Sequence, residues 1–336
     1  MANLSFGGSV DYRDRSAAVL CGKGGVGKST TLAQIADHAA RFGLRVLGVD
    51  LDANGALSAM TGTIVPDGYA SVKDVLDGTM PAIQVARVPE DWQPITDRPF
   101  ALGGALIPGG SLHILPAPQN GLEDATGKTG TEAETRLLVA LAEGGFGDNY
   151  DLILVDAPGT EGPAFYLGLN ACKHVLFPLQ PETLGIRGFI RTIEAAIRFS
   201  KIRPVNALGG VATMVRNKKE HTDTIADTKE WLQQQFGDAI TLFDPPLKDR
   251  AIVADAVPMM LPVSRMITRT GKHADVAAGY GSIALATISP IVAPDRLDAI
   301  FDALEAAEMD DTIRAIFLGA DDIVDDPSDE TAAANS

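Results

Sequence analysis

Cys21-Gly22-Lys23-Gly24-Gly25-Val26-Gly27-Lys28-Ser29-Thr30 carries the spacing Gly-x4-Gly-Lys-Ser from Gly22 to Ser29. Four glycines leave this backbone bare, so its N–H groups can turn onto phosphate oxygens without steric clash. The pattern is the phosphate loop of nucleoside-triphosphate sites. Lys28 reaches the β- and γ-phosphates and the Ser29 hydroxyl ligates Mg2+. Flanking sequence agrees. Ser16 to Leu20 reads as a short apolar strand, and Thr30 to Arg41 as a helix with Leu32, Ile35, Ala36 and Ala39 on one face. A helix starting near Lys28 adds its unpaired N–H groups and positive dipole end. The triphosphate set is Gly24, Gly25, Val26, Gly27, Lys28, Ser29 and Thr30.

Outward from the loop, Leu44 to Asp50 is too continuously apolar for a one-sided strand and reads as a buried parallel one. It delivers Asp50 and Asp52 at its C-terminal end, on one face by alternation. Tyr150 to Asp156 repeats the arrangement and ends in Asp156. Asp50, Asp156 and Ser29 form the candidate Mg2+ set, because phosphoryl transfer is mostly positioning plus metal. Strand-end carboxylates that merely cap the next turn are the alternative for Asp50 and Asp52. Further strands are read at His174 to Leu179 and Leu208 to Val215, the latter ending in Thr213-Met214, with a helix from Ile186 to Ser200. Pro245 and Pro246 follow another short strand and are read as a wall for the base. Alternating strands and helices predict a single doubly wound, mostly parallel α/β sheet over 16–287.

Residues 23 to 29 resemble the deviant Walker A ATPases of the ParA/MinD family, whose loop reads Lys-Gly-Gly-x-Gly-Lys-Ser/Thr. The likeness extends to Asp50-Leu51-Asp52, Leu112 to Ala117, Asp156-Ala157-Pro158 and Gln180-Pro181-Glu182, covering about Ser16 to Leu285. It implies an ATP hydrolase, slow and stimulated by a partner, with ATP and Mg2+ as cofactors. It also implies that Lys23 reaches across a homodimer to the partner's ATP, that Asp52 orients the attacking water, and that Asp156 holds the metal shell. Met214 falls in the family's base-proximal segment. Ala53-Asn54 replaces the family's Pro-Gln and leaves that loop's geometry open. A solvated loop lysine is the alternative for Lys23.

The chain of 336 residues has a net charge of -16, on its face wrong for a nucleic-acid binder. The charge is uneven. Residues 288–336 hold 13 acidic and 2 basic residues, whereas residues 186–273 hold 14 Lys/Arg and 9 Asp/Glu. In that basic segment Ile186, Ile190, Ile193 and Ile197 are read as a buried stripe, with Arg187, Arg191, Arg198 and Lys201 beside it. Lys248 and Arg250 resemble the family's DNA-contacting stretch, and Arg265 and Arg269 extend the cluster. Phosphate contact of this type carries little sequence preference. A solvated face explains the stripe equally well.

The remaining organisation is a polar segment 1–15, a Pro/Gly-rich insertion at 88–120, acidic helices at 288–320 and an acidic, disordered-type tail at 321–336. The insertion is read as either functional or a tolerated surface loop. No apolar run or leader points to a membrane, and Cys21 and Cys172 suit a reducing cytoplasm. Acidic terminal helices argue against a MinD-like lipid anchor. The cysteines do not fit a nitrogenase-reductase-like cluster, and Met259, Met260 and Met266 are read as core. Two functions remain. One is ParA-type partition of plasmid or chromosome through non-specific DNA and a ParB-like partner. The other is ParA-like positioning of a protein cargo.

Overall fold

The computed structural model describes residues 11–127 and 130–318. The tail read at 321–336 lies outside them. Six strands, β1 (Ser16–Val19), β2 (Arg45–Asp50), β3 (Ser111–Leu115), β4 (Leu152–Asp156), β5 (His174–Leu179) and β6 (Asn206–Ala212), form one sheet. Their order is β3-β2-β4-β1-β5-β6, and all five neighbouring pairs run parallel. The crossover from β1 goes to one side and that from β4 to the other. The loops after β1 and β4 therefore open at a switch point, where open α/β sheets bind ligands.

The longer helices are α1 (Lys28–Arg41), α2 (Thr131–Glu143), α3 (Pro163–Ala171), α4 (Thr183–Ser200), α5 (Lys219–Phe236), α6 (Ala251–Met259), α7 (Ala274–Ile288), α8 (Pro294–Ala306) and α9 (Asp311–Leu318). Strand side chains alternate between two cores. Ala18, Val49, Val155 and Val175 pack with α2 to α5. Ala17, Val46, Leu154 and Leu176 pack with α1 and α6 to α9. Tyr12, in a single turn of 3-10 helix at Tyr12–Arg15, is buried, so the last residues of the segment read as 1–15 belong to the domain.

Several expectations change. Leu32, Ile35, Ala36 and Ala39 are buried as read, but α1 is buried on its polar face as well. Gln34 Oε1 accepts from Val263 N–H, Asp37 accepts from Ser264 Oγ, and Arg41 donates to the carbonyls of Phe100 and Gly104. The partners come from the 88–120 stretch and from residues 263–264. That stretch is thus packed rather than draped on the surface: Trp92 is buried and its Nε1–H donates to the Met260 carbonyl. Met259 and Met260 are themselves exposed, because the chain leaves α6 through a left-handed Met260.

On α4 the isoleucine stripe is only the edge of the buried face: Ile193 is buried, and Ile186 and Ile190 are half-buried against the core. Gly185, Gly188, Phe189, Thr192, Ala195, Ala196 and Phe199 face the core with Ile193, while Ile197 is 43% exposed. Two glycines and two alanines let α4 approach the sheet more closely than isoleucines could, which rotates the helix. β6 ends at Ala212 rather than Val215, because Met214 is left-handed and Val215 N–H turns to the Leu247 carbonyl.

The acidic terminal helices also belong to the fold. Phe317 of α9 stands 5.4 Å from Phe100 and 6.4 Å from Phe42, ring centre to ring centre. It also covers Gly281 of α7 closely enough that an added Cβ would come within 2.2 Å of its ring. Phe317→Ala is expected to cost about 3 kcal/mol in urea unfolding, the usual loss for a buried phenylalanine. A loss under about 1 kcal/mol would show α9 to be detachable.

Candidate active site

The loop at residues 20–27 leaves β1 and enters α1 through a left-handed Gly27. Cβ atoms built on Gly24 or Gly25 would meet nothing within 4 Å, so the packing of this chain does not require glycine there. The space is an open cradle for phosphate. The loop is clamped from below by side chains the sequence reading did not assign. Thr213 Oγ1 shares its one proton between the carbonyls of Val26 (2.7 Å) and Leu179 (3.0 Å), and Gly22 N–H donates to Thr192 Oγ1 of α4 at 2.7 Å. Gly188 sits against the same turn; a Cβ on Gly22 would lie 2.9 Å from its carbonyl oxygen. The basic helix therefore touches the phosphate loop directly.

Under the cradle, Lys28 is buried with its Nζ 2.7 Å from Asp156 Oδ1 and 3.6 Å from Asp52 Oδ2. Burial alone would depress its ammonium, but Asp156, Asp52 and Asp50 outweigh that and hold it above its ordinary value. Asp50 and Asp156 stand opposite one another in the β2–β4 register. Asp50 Oδ2 accepts from Ser58 Oγ (2.7 Å) and Ser58 N–H (2.8 Å). Burial first, then the Asp156 charge, pushes the Asp50 carboxyl well above the usual carboxylate range despite those bonds. Ser58 carries no sequence signal: it lies eight residues on, in a five-residue helix, Ala56–Met60. Asp52 Oδ1 accepts from Asn54 N–H and Asn54 Nδ2, so the residue that departs from the family pattern holds the carboxylate itself.

The set fits Mg2+ on an observation independent of any motif. Asp156 Oδ2 is buried without a hydrogen-bond partner, on the same residue that anchors Lys28. Together with Asp50 and the half-exposed Ser29 it supplies the hard oxygen ligands this ion prefers. A metal needs the Asp50 carboxylate deprotonated. Mg2+-dependent nucleotide affinity should therefore rise with pH from the ordinary aspartate range toward neutrality, by up to about tenfold per pH unit for one proton. The nucleotide-free fold should show the opposite slope. Asp50 binds its proton more tightly folded than unfolded, so its contribution falls as pH rises through that window. Asp50→Asn should flatten both slopes in titration calorimetry and urea unfolding; unchanged slopes would assign the proton elsewhere.

Lys23 points away from this centre. Its Nζ donates to Gln180 Oε1 at 2.9 Å and lies 3.3 Å from Glu182 Oε2. After β4, Gly159 presses on the loop, where a Cβ would fall 2.1 Å from the Cys21 carbonyl. Two residues on, Glu161 pairs with Arg198 of α4 and accepts from the Tyr166 hydroxyl. At the loop's flank, Met214 lies beside Gly27, and Val215 N–H donates to the carbonyl of Leu247, the residue after Pro246. Of the basic residues, Arg187, Arg191, Lys248 and Arg269 are exposed, and Arg250 faces Asp275 at 3.8 Å. Arg265 does not join them. Its guanidinium is half-buried, donates to the Gln93 carbonyl and is depressed by burial.

Residues 17–261 match the CobQ/CobB/MinD/ParA nucleotide binding domain. The chain belongs to this family. Within it, the chain is 31% identical over 229 residues to the chromosome-partitioning ATPase Soj of Thermus thermophilus, covering 67% of this chain and 78% of that one. It is 28% identical over 254 residues to the chromosome partitioning protein ParA of Caulobacter vibrioides, covering 74% and 86%. Among solved structures, cobyrinic acid a,c-diamide synthase of Mycobacterium smegmatis with bound ATP analogue and magnesium aligns over 75% of this chain and 92% of its own, at 26% identity and TM-score 0.57. The ATP complex of a substituted McdA from Cyanothece shares the fold at 15% identity and TM-score 0.62, over 88% and 98%. No helix among the described residues is long and apolar enough to cross a membrane.

Proposed function

We propose that this chain is an ATP-dependent switch ATPase of the ParA type, dimerising on nucleotide, binding DNA without sequence preference and released when a ParB-like adaptor stimulates hydrolysis. The observation that carries the reading is the split between the two loop lysines. Lys28 belongs to the chain's own carboxylate centre, whereas Lys23 is parked outside it on Gln180 and Glu182, available to a second nucleotide. The backbone of 24–27 with Lys28 and Thr30 binds the phosphates of ATP, and Met214, Pro245 and Pro246 flank the base. Ser29, Asp50 and Asp156 hold Mg2+, which when bound neutralises charge developing on the phosphate oxygens. Asp52, fixed by Asn54, orients the attacking water, and Thr213 keeps the loop in register.

The DNA arm rests on the exposed Arg187 and Arg191 of α4, with Lys248, Arg250 and Arg269. Gel shift at low salt with ATP against ADP tests it. An ATP-dependent shift is expected, indifferent to sequence. Arg187→Glu with Arg191→Glu should weaken it and lower the slope of log affinity against log salt by about 1.8, two phosphate contacts at about 0.9 each. The absence of an ATP-dependent shift, or a shift that ignores charge reversal, would sink the DNA reading and leave positioning of a protein cargo as the alternative.

A further inference from the structure

α4 meets the nucleotide site at two places. Thr192, buried, accepts from Gly22 N–H at 2.7 Å and donates to the Gly188 carbonyl of its own helix at 2.8 Å. A Cβ on Gly188 would lie 3.1 Å from Lys23 N, so the helix backbone rests directly on the phosphate loop. Farther along, Arg198 Nη2 stands 3.1 Å from Glu161 Oε2, in the loop that leaves β4 after Asp156. Both loops that border the phosphates are thus tied to one helix. The outer face of that helix carries charge at adjoining positions. Arg187 precedes Gly188, Arg191 precedes Thr192, and both arginines are exposed. Neighbouring residues of a helix share one rigid backbone, so a displacement of Gly188 and Thr192 is passed to both arginines. The C-terminal half of α4 also has slack beneath it. An apolar cleft of about 250 Å3 separates Ile193, Ala196 and Ile197 from Val175, Phe177 and Ala207 of the sheet, which gives the helix room to rock.

We propose that Thr192 is a positioning residue that couples the phosphate loop to α4, the helix that presents Arg187 and Arg191. Gly22 opens the loop whose N–H groups turn onto phosphate, so ordering that loop sets the direction of its amide. Thr192 accepts from that amide and follows it, and α4 follows Thr192. The coupling acts within one subunit and operates before any dimer forms. Linkage makes it reciprocal: the factor by which nucleotide changes anion binding at the arginines is the factor by which the anion changes nucleotide binding. The response of α4 follows from the contact alone. Its use in DNA binding rests on the proposed DNA reading of Arg187 and Arg191.

Hydrogen exchange in the full-length protein, with Mg2+ and a non-hydrolysable ATP analogue at saturation, tests it. Exchange of the α4 amides should slow by about fivefold, the lower end of ordinary coupling between sites, at a ratio independent of protein concentration. Thr192→Val keeps the side-chain shape and removes the acceptor. Its phosphate-loop amides should still be protected by the analogue while its α4 amides no longer respond. Thr192→Ser restores the acceptor and should restore the response. Three results overturn the proposal: a wild-type α4 indifferent to the analogue, a response that appears only as protein concentration rises, and a Thr192→Val helix that responds like wild type. The last would make Thr192 a residue that only holds the fold, seen as lowered urea stability with coupling intact. A mixed-sequence DNA duplex at low salt then reads the arginines. The ratio of duplex affinities with and without the analogue should fall toward one in Thr192→Val and return in Thr192→Ser. A wild-type protein whose α4 responds but which binds no duplex removes the DNA reading and leaves the coupling standing.

Discussion

Lys28→Ala should abolish ATP turnover and also lower the unfolding free energy of the nucleotide-free protein by about 3–5 kcal/mol, the penalty for stranding a buried charge. The second effect is the less obvious one. A phosphate-binding lysine is normally thought of as a ligand group, yet here Lys28 is only 8% exposed and bonded to a fully buried Asp156. Asp50, also fully buried, and Asp52 complete a ring of three carboxylates around one cation. Remove the cation and the carboxylates face each other without compensation. Part of the penalty is relieved by proton uptake, and Asp50 is already pushed toward the protonated state. The destabilisation should therefore shrink as pH falls toward the ordinary aspartate range. Lys28→Ala with Asp156→Asn should recover most of the stability and none of the turnover. Urea unfolding paired with phosphate release decides it. If the single variant is as stable as wild type, the carboxylates are hydrated rather than held by Lys28.

The phosphate loop, the strand carrying Asp50 and the strand carrying Asp156 were legible because their signals are local. Glycine spacing and continuous apolar runs ending in Asp need no knowledge of the rest of the chain. The strand His174–Leu179 was legible to the residue for the same reason. What escaped depends on contacts distant in sequence. Ser58 on Asp50, Thr213 on Val26 and Thr192 on Gly22 are single hydroxyls, and serine and threonine occur throughout the chain. The burial of Gln34, Asp37 and Arg41 on the polar side of α1 left no mark in the sequence, since buried polar groups are satisfied only when packed loops supply partners. Arg265 read as part of a basic cluster because charge in a row says nothing of direction. Its side chain turns inward to a backbone carbonyl. The isoleucines of α4 misled in the opposite way: the helix buries its smallest residues where it meets the loop and sheet, and leaves Ile197 at the margin.

Lys23→Ala is expected to leave ATP affinity within about twofold of wild type, while removing the ATP-induced dimer and with it stimulated turnover. The reason lies in where the side chain starts. Lys23 makes no contact with Asp50, Asp52 or Asp156; its ammonium is engaged by Gln180 and Glu182 at the mouth of the site. In the proposed dimer that engagement would compete with a reach toward a second nucleotide, so its strength would set how much ATP is needed to form the dimer. The pair is open to solvent, with side chains 26% and 44% exposed, and exposed pairs are worth roughly 0.2–1 kcal/mol. Glu182→Gln should therefore lower the ATP concentration for half-dimerisation, but by no more than about fivefold. Sedimentation velocity across an ATP titration separates the possibilities. A Lys23→Ala protein that dimerises like wild type would remove Lys23 from the interface. A Glu182→Gln protein that dimerises without nucleotide would make the Glu182 contact, rather than ATP itself, the dominant barrier. The expected pattern, complete loss at Lys23 and a small shift at Glu182, is that of a weak intramolecular hold on a residue whose main partner is another subunit's phosphate.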